Sequence, residues 1–90
     1  MERYVKTLKG ILSLHFKSTR KQHKLSQNSM SEILHIAPRS YSKLEHGHYL
    51  PSACVFILYL RLCGKDAAME LLDEIIGGFH KLEGDDDAVA

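Results

Sequence analysis

Ninety residues with a net charge of +1 fit one domain and leave no room for a second. A chain this short buries roughly 60–65% of its unfolded surface, enough for one core but little for a deep enclosed pocket, which argues against an enzyme. The overall charge hides a split: residues 1–50 hold nine Lys/Arg and three Asp/Glu, while residues 51–90 hold three and eight. This asymmetry points to one face for a polyanion and another turned away from it.

The first predicted element is a helix over residues 4–21. Val5, Leu8, Leu12, Phe16 and Thr19 recur at three- and four-residue steps, with Ile11 and His15 beside them, and Lys6, Lys9, Lys17 and Lys21 on the other faces. Gln22-His23-Lys24 has no period and reads as a connection. Ser26 suits an N-cap, opening a helix to about Leu34 with Met30, Ile33 and Leu34 apolar. His35-Ile36-Ala37 forms a short turn, and Pro38 suits the first position of a third helix. That helix ends near Glu45, with Tyr41 and Leu44 facing inward and Gly47 as its stop.

Pro51 or Ser52 opens a fourth helix that ends near Gly64. Its run from Ala53 to Leu60 is apolar on every side, which places it at the centre of a bundle. A buried strand is the alternative for such residues, but no partner strand exists elsewhere. The run is far shorter than the ~20 residues of a membrane span, and the N-terminus has no signal-peptide pattern. Asp66 is expected to cap a last helix with the stripe Ala68, Leu72, Ile75, Ile76 and Phe79, widened by Leu71 and Leu82. Gly77-Gly78 is a candidate stop or kink. Residues 83–90 read as a disordered acidic tail, leaving residues 1–82 as the domain. The expected fold class is all-α, a compact bundle of about five short helices.

Cys54 and Cys63 would stand about 13 Å apart on one helix, too far for a disulfide. They lack metal or redox spacing and read as buried thiols of a reducing cytosol, so a cytoplasmic location is expected. His46 and His48 are two residues apart without suitably spaced Cys or carboxylate ligands, so no metal is expected. His15, His23 and His80 read as surface or boundary residues. No nucleophile motif or phosphate loop is present, and neither catalysis nor a cofactor is expected.

The most informative stretch is residues 26–47. Two short helices separated by three residues must pack steeply, with Met30, Leu34, Ile36, Tyr41 and Leu44 inside and Ser31 small at the crossing. Arg39, Ser40, Ser42 and Lys43 then point outward together. Such a surface fits a DNA major groove, where Arg pairs bidentately with guanine and Lys and Ser reach base edges or phosphates.

Arg20, Leu25-Ser26-Gln27, this apolar spacing, Leu44-Glu45-x-Gly47 and Pro51 together resemble the lambda-repressor-like (XRE, or Cro-type) helix-turn-helix family over roughly residues 12–64. The resemblance implies a bundle of four or five helices and a cytoplasmic transcriptional regulator, a repressor, that binds double-stranded DNA. It implies that Gln27 contacts a phosphate or base edge, and that the helix from Pro38 reads the major groove through Arg39, Ser40 and Lys43. His46 and the following turn with His48 would approach the DNA backbone. Arg20 and Glu45 would form the family's internal ion pair. The chain departs from the family at His35, where glycine is common, at Ala37, where Ser or Thr is usual, and at Tyr41, which is larger than the usual Ile or Val.

Palindromic sites are commonly bound by dimers whose recognition helices lie ~34 Å apart, so a homodimer is expected, with Leu71, Ile75, Phe79 and Leu82 as interface candidates. A protein-interaction module is the alternative: an antitoxin or anti-repressor acting through the last helix, with a partner such as a toxin.

Overall fold

The computed structural model describes residues 1–89, with side chains described for residues 1–84. Five helices follow in order: α1 (Glu2–Gln22), α2 (Gln27–Ile33), α3 (Pro38–Glu45), α4 (Ala53–Cys63) and α5 (Lys65–Val89). No strand occurs among the described residues. None of the helices is long and apolar enough to cross a membrane.

The long helix α1 is the spine. It packs against α3 on one side and α5 on the other, while α2 packs on α3 and α4 on α5. Leu12 and Phe16 are its buried apolar residues. They join Met30 and Leu34 from α2 and its cap, Tyr41 and Leu44 from α3, Tyr59 from α4, and Leu71 and Ile75 from α5. Aromatic rings fill the centre. The Phe16 ring lies 4.4 Å from Tyr59 and 6.2 Å from Tyr41, centroid to centroid, both at 70°, an edge-to-face geometry that the ring quadrupoles favour.

α1, α2 and α3 end alike. In each, the residue after the cap is left-handed: Lys24 at φ 56°, His35 at φ 58° and Gly47 at φ 75°. In each, two N–H groups then turn back onto the last carbonyls. Lys24 and Leu25 donate to Lys21 and Arg20, His35 and Ile36 to Glu32 and Ser31, and Gly47 and His48 to Leu44 and Lys43, all at 2.9–3.1 Å. These are Schellman turns, which satisfy carbonyls that a bare helix end leaves open. Leu25 and Ile36, one residue further on, pack against the core. The starts of α2 and α4 follow the expected caps, with Ser26 Oγ accepting from Ser29 N–H at 3.0 Å and Ser52 Oγ from Val55 N–H at 3.2 Å.

Gly64 alone joins α4 to α5, at φ 89° and ψ 163°, a region that only glycine occupies readily. The first bond of α5 runs from Ala68 N–H to Gly64 C=O at 2.9 Å. The helix therefore begins at Lys65, ahead of Asp66, which lies in its first turn and is not its cap. A Cβ at Gly64 would meet nothing within 4 Å, so the cost of a side chain there is purely conformational. Gly64→Ala is expected to lose about 1–3 kcal/mol, read as a lowered midpoint in thermal unfolding. An unchanged midpoint would mean the link relaxes into an ordinary conformation.

Several expectations are corrected. α4 is not the centre of the bundle. Only Tyr59 is buried there, Ile57 is 61% exposed and Cys54 is also exposed. An 11-residue helix lying on α5 covers one side of itself, and its apolar residues outnumber the places on that side. α5 passes through Gly77-Gly78 without a break. Its Leu71 and Ile75, expected at a dimer interface, are 1% and 8% exposed. They complete the core against α1 and α4, leaving no surface for a second chain. Phe79 is half-buried and stacks edge-on against Tyr4 at 5.0 Å, and Leu82 is half-buried. Among the described residues, the large apolar side chains that α5 exposes are Met69 and Ile76. The expected acidic tail falls largely outside the residues whose side chains are described. Its first member, Glu83, accepts a 3.1 Å bond from the Tyr4 hydroxyl and lies 3.7 Å from His80.

His15 is half-buried, the boundary position expected of it, and it has partners. Its Nδ1 is hydrogen-bonded to the Tyr59 hydroxyl, which also reaches Thr19 Oγ1 at 2.7 Å and the His15 carbonyl at 3.0 Å. Burial lowers the imidazole from its ordinary value, partly offset by Glu74.

Candidate nucleic-acid interface

α2, the turn and α3 form a helix-turn-helix whose seat is built from small and large side chains in alternation. Ser31 is 1% exposed where the two helices cross, and its hydroxyl donates to the Asn28 carbonyl at 2.6 Å. Any larger residue would push α3 away. Tyr41 and Leu44 face inward from α3, and the Tyr41 hydroxyl donates to the Phe16 carbonyl at 3.4 Å. The hydroxyl thus gives the larger residue at this position a partner inside the core.

Behind α3 lies the charged lock. Arg20 Nε donates to Glu45 Oε2 at 2.9 Å and Nη2 to Glu45 Oε1 at 2.8 Å, while Nη1 donates to the Leu25 carbonyl at 3.1 Å. The pair is largely removed from water, with side chains 16% and 4% exposed. Burial alone would raise the Glu45 carboxyl. Hydrogen bonds from Arg20, Tyr41 and Gln27 outweigh it and hold the group at about 2. The same bond raises the Arg20 guanidinium further, and burial pushes Tyr41 well above the usual phenol range. One bidentate pair therefore ties α1, the loop at Leu25 and the end of α3 together.

On the opposite side of α3, Arg39 and Ser40 are exposed, as is Pro38 at the helix start, while Ser42 and Lys43 are half-buried. None of the four side chains from Arg39 to Lys43 on this surface is acidic. His46 folds back on the last turn, its Nδ1 2.7 Å from the Ser42 carbonyl and 3.4 Å from the Ser42 hydroxyl. His48 is exposed, its ring 6.0 Å from that of His46. Gln27 is half-buried, and its Nε2 donates to Glu45 Oε1 at 3.4 Å. The structure thus groups Gln27 with Arg20 and Glu45, apart from the outward side chains of α3. No group of three or more His, Cys, Asp or Glu placed to hold a metal occurs among the described residues.

Tyr49 is a surface feature that sequence reasoning missed. Its ring is 56% exposed, and the Lys43 ammonium sits 5.3 Å from its centroid. The two line a groove of about 320 Å³ beside α3, together with Ser40, Ile36, Leu44, Leu50 and Val55. An aromatic just past a basic helix is the signal that could have marked it.

The turn itself is strained. His35 adopts φ 58° where a left-handed L-residue costs about 1–2 kcal/mol, although histidine is among the residues that tolerate the region. Ala37 provides no side-chain cap to α3. His35→Gly is expected to stabilise the domain by about 0.5–1 kcal/mol once glycine's own entropic cost is counted, read as a higher urea midpoint. A lower midpoint would mean that the exposed imidazole contributes more than its backbone costs.

A family model described as a helix-turn-helix domain matches residues 15–74. Comparison with curated proteins and with solved structures finds no match. The matched span runs from α1 into α5 and takes in both members of the Arg20–Glu45 pair and the whole of α2 to α4.

Proposed function

Because the chain belongs to the helix-turn-helix domain family, we propose that it is a sequence-specific, double-stranded-DNA-binding transcriptional regulator of the lambda-repressor-like type, acting in the cytoplasm as a repressor. The observation that carries this reading is the two-sided build of α3. Its inner side is clamped by Tyr41, Leu44 and the Arg20–Glu45 pair, and its outer side presents Arg39, Ser40 and Lys43 without an acid. A rigid helix with that surface can enter a major groove, where phosphate contacts supply affinity and base-edge contacts supply specificity. Repression follows from occupying an operator. His46 and His48, on the turn after α3, would approach the DNA backbone in this reading.

The test is a fluorescence-anisotropy titration into duplex DNA at low and near-physiological salt, followed by selection of a preferred duplex from a random library. Arg39→Ala is expected to cost about 1–3 kcal/mol on the selected duplex and much less on random DNA. Affinity of the wild type should fall with salt by about 0.9 log units per tenfold salt for each phosphate neutralised. A folded, helical wild type that binds no duplex at low salt would overturn the reading.

A second function is favoured by the apolar side chains left on the surface. Ile57 on α4 and Met69 and Ile76 on α5 are each more than half exposed. This supports a protein contact through the α4–α5 side, either a homodimer that spaces two recognition helices ~34 Å apart or a partner such as a toxin. The two readings coexist in an antitoxin that represses its own operon. Sedimentation of the wild type beside Ile57→Lys distinguishes them: loss of a dimer supports self-association, and a monomer throughout favours a different partner.

A further inference from the structure

We infer that His46 meets a DNA phosphate only as the imidazolium, so that DNA binding takes up a proton at this residue. The inference rests on the DNA-binding reading above and adds a regulation to it, a grip on DNA that tightens as the pH falls.

His46 is the first residue after α3, and its Nδ1 lies 2.7 Å from the Ser42 carbonyl one turn back. A carbonyl oxygen only accepts, so a contact that short requires the proton to be on Nδ1. The Ser42 hydroxyl is the more distant neighbour of the same nitrogen, at 3.4 Å. Were it to donate to a bare Nδ1, the nitrogen lone pair would face a carbonyl oxygen at 2.7 Å.

A neutral imidazole carries a single N–H. With that proton on Nδ1, Nε2 is left as a bare lone pair. The residue is exposed, and Nε2, across the ring from the nitrogen tied to the helix end, is the atom left for a ligand. A phosphate oxygen is a negatively charged acceptor, and a lone pair repels it. It can bond to Nε2 only when that nitrogen is protonated as well. Both ring nitrogens are then donors. Nδ1 keeps the Ser42 carbonyl, and Nε2 is free to make a charge-assisted bond to phosphate. The ring itself need not turn between the two states.

The neighbouring charges leave this proton to be matched by the ligand. On α3, Glu45 is taken by Arg20, and the Lys43 ammonium sits at the Tyr49 ring. In the turn, the His48 ring is 6.0 Å from that of His46. Beside the turn, α1 brings Lys9 and Ser13, whose carbonyl and side chain come within 3.8 Å of where a Cβ on Gly47 would stand. Among the described residues no carboxylate forms an ion pair with His46. The phosphate is the anion that the added proton pairs with. By linkage, a ligand that binds the protonated form better binds more tightly as the pH falls.

The experiment titrates wild type, His46→Gln and His48→Gln into a labelled duplex across a salt series, at about pH 5.5 and about pH 8, on either side of the range in which histidine changes charge. Circular dichroism is recorded at both pH values. The wild type is expected to bind about ten-fold more tightly at the lower pH, with a salt slope steeper by about 0.9 there. His46→Gln carries an amide donor at either pH and should lose most of both differences, while His48→Gln should keep them. A wild type whose affinity or salt slope does not change with pH would overturn the inference. So would a His46→Gln variant that keeps the full pH dependence, or a His48→Gln variant that abolishes it. If the wild type binds duplex at neither pH, the DNA-binding reading fails and takes the inference with it. Binding at both pH values with no difference sinks the inference alone.

Discussion

Replacing Arg20 with alanine is expected to remove about 3–5 kcal/mol of stability, the usual consequence of leaving one member of a buried ion pair alone. Glu45 would remain with a side chain 4% exposed, its two strongest donors gone and only the 3.4 Å bond from Gln27 and the nearby Tyr41 hydroxyl to satisfy it. A small domain has roughly 5–15 kcal/mol in total, so the variant loses a large part of its stability. Urea unfolding measures it directly. The double variant Arg20→Met/Glu45→Leu should recover most of the loss, since a buried pair replaced by apolar residues of similar volume is often neutral. If the double variant is as unstable as the single, packing of the arginine stem matters more than the charge left behind.

The same pair sets an acid limit. The Glu45 carboxyl stands at about 2 in the folded chain against an ordinary 4.5. A carboxyl held low in the folded state stabilises the fold above its ordinary value and loses that contribution as the pH falls through the interval. The wild type should therefore lose about 3 kcal/mol between pH 4.5 and pH 2 from this group. In Arg20→Ala the slope over that interval should flatten or reverse, because a buried carboxylate without its cation gains by taking up a proton. An unchanged acid slope in the variant would place its origin elsewhere. His15, whose imidazole burial lowers, adds a separate loss that begins as the pH drops below about 6.5, where the unfolded chain takes up the proton first.

Phe16→Ala is expected to cost about 3–5 kcal/mol, toward the upper end. Phe16 has no exposed surface, and Tyr41 and Tyr59 lean edge-on against its ring. A cavity there cannot easily close. The Tyr59 hydroxyl is tied to Thr19 and to the His15 carbonyl, and the Tyr41 hydroxyl reaches the Phe16 carbonyl, so both rings are held at their far ends. Thermal unfolding reads the loss. The variant also tests how α3 is seated, because Tyr41 carries that helix onto Phe16. At a temperature where the variant is still folded, DNA affinity should fall although none of the residues proposed to meet DNA has changed. Full affinity would mean that the Arg20–Glu45 pair alone orients α3.

The short-range features of this protein are legible in its residues. Ser26 and Ser52 cap α2 and α4, Pro38 opens α3, Gly47 stops it, and the three- and four-residue steps of Leu12, Phe16 and Thr19 mark the buried side of α1. Each is decided within about one turn of helix, by a hydroxyl near a free N–H, a ring without a donor, or a backbone angle that glycine adopts cheaply. The helix-turn-helix between residues 26 and 47 was visible for the same reason, since its apolar positions and its turn lie within two dozen residues.

What only the tertiary structure decided depends on surface that other helices leave available. Leu71 and Ile75 read equally well as core or as interface, and they became core because α1 and α4 cover that side of α5. α4 looked central from its apolar run, yet it lies on α5 and exposes Ile57 and Cys54. Lys24 carries no turn signature, but the register that brings Leu25 onto the core requires it to be left-handed. Gln27 and Lys43 are both polar residues of the helix-turn-helix. Glu45 holds one and Tyr49 holds the other, 18 and six residues further along the chain. Local physics writes helix ends and turns into neighbouring residues. Which side chains remain free to meet a ligand is settled when distant segments meet and compete for the same space and the same partners.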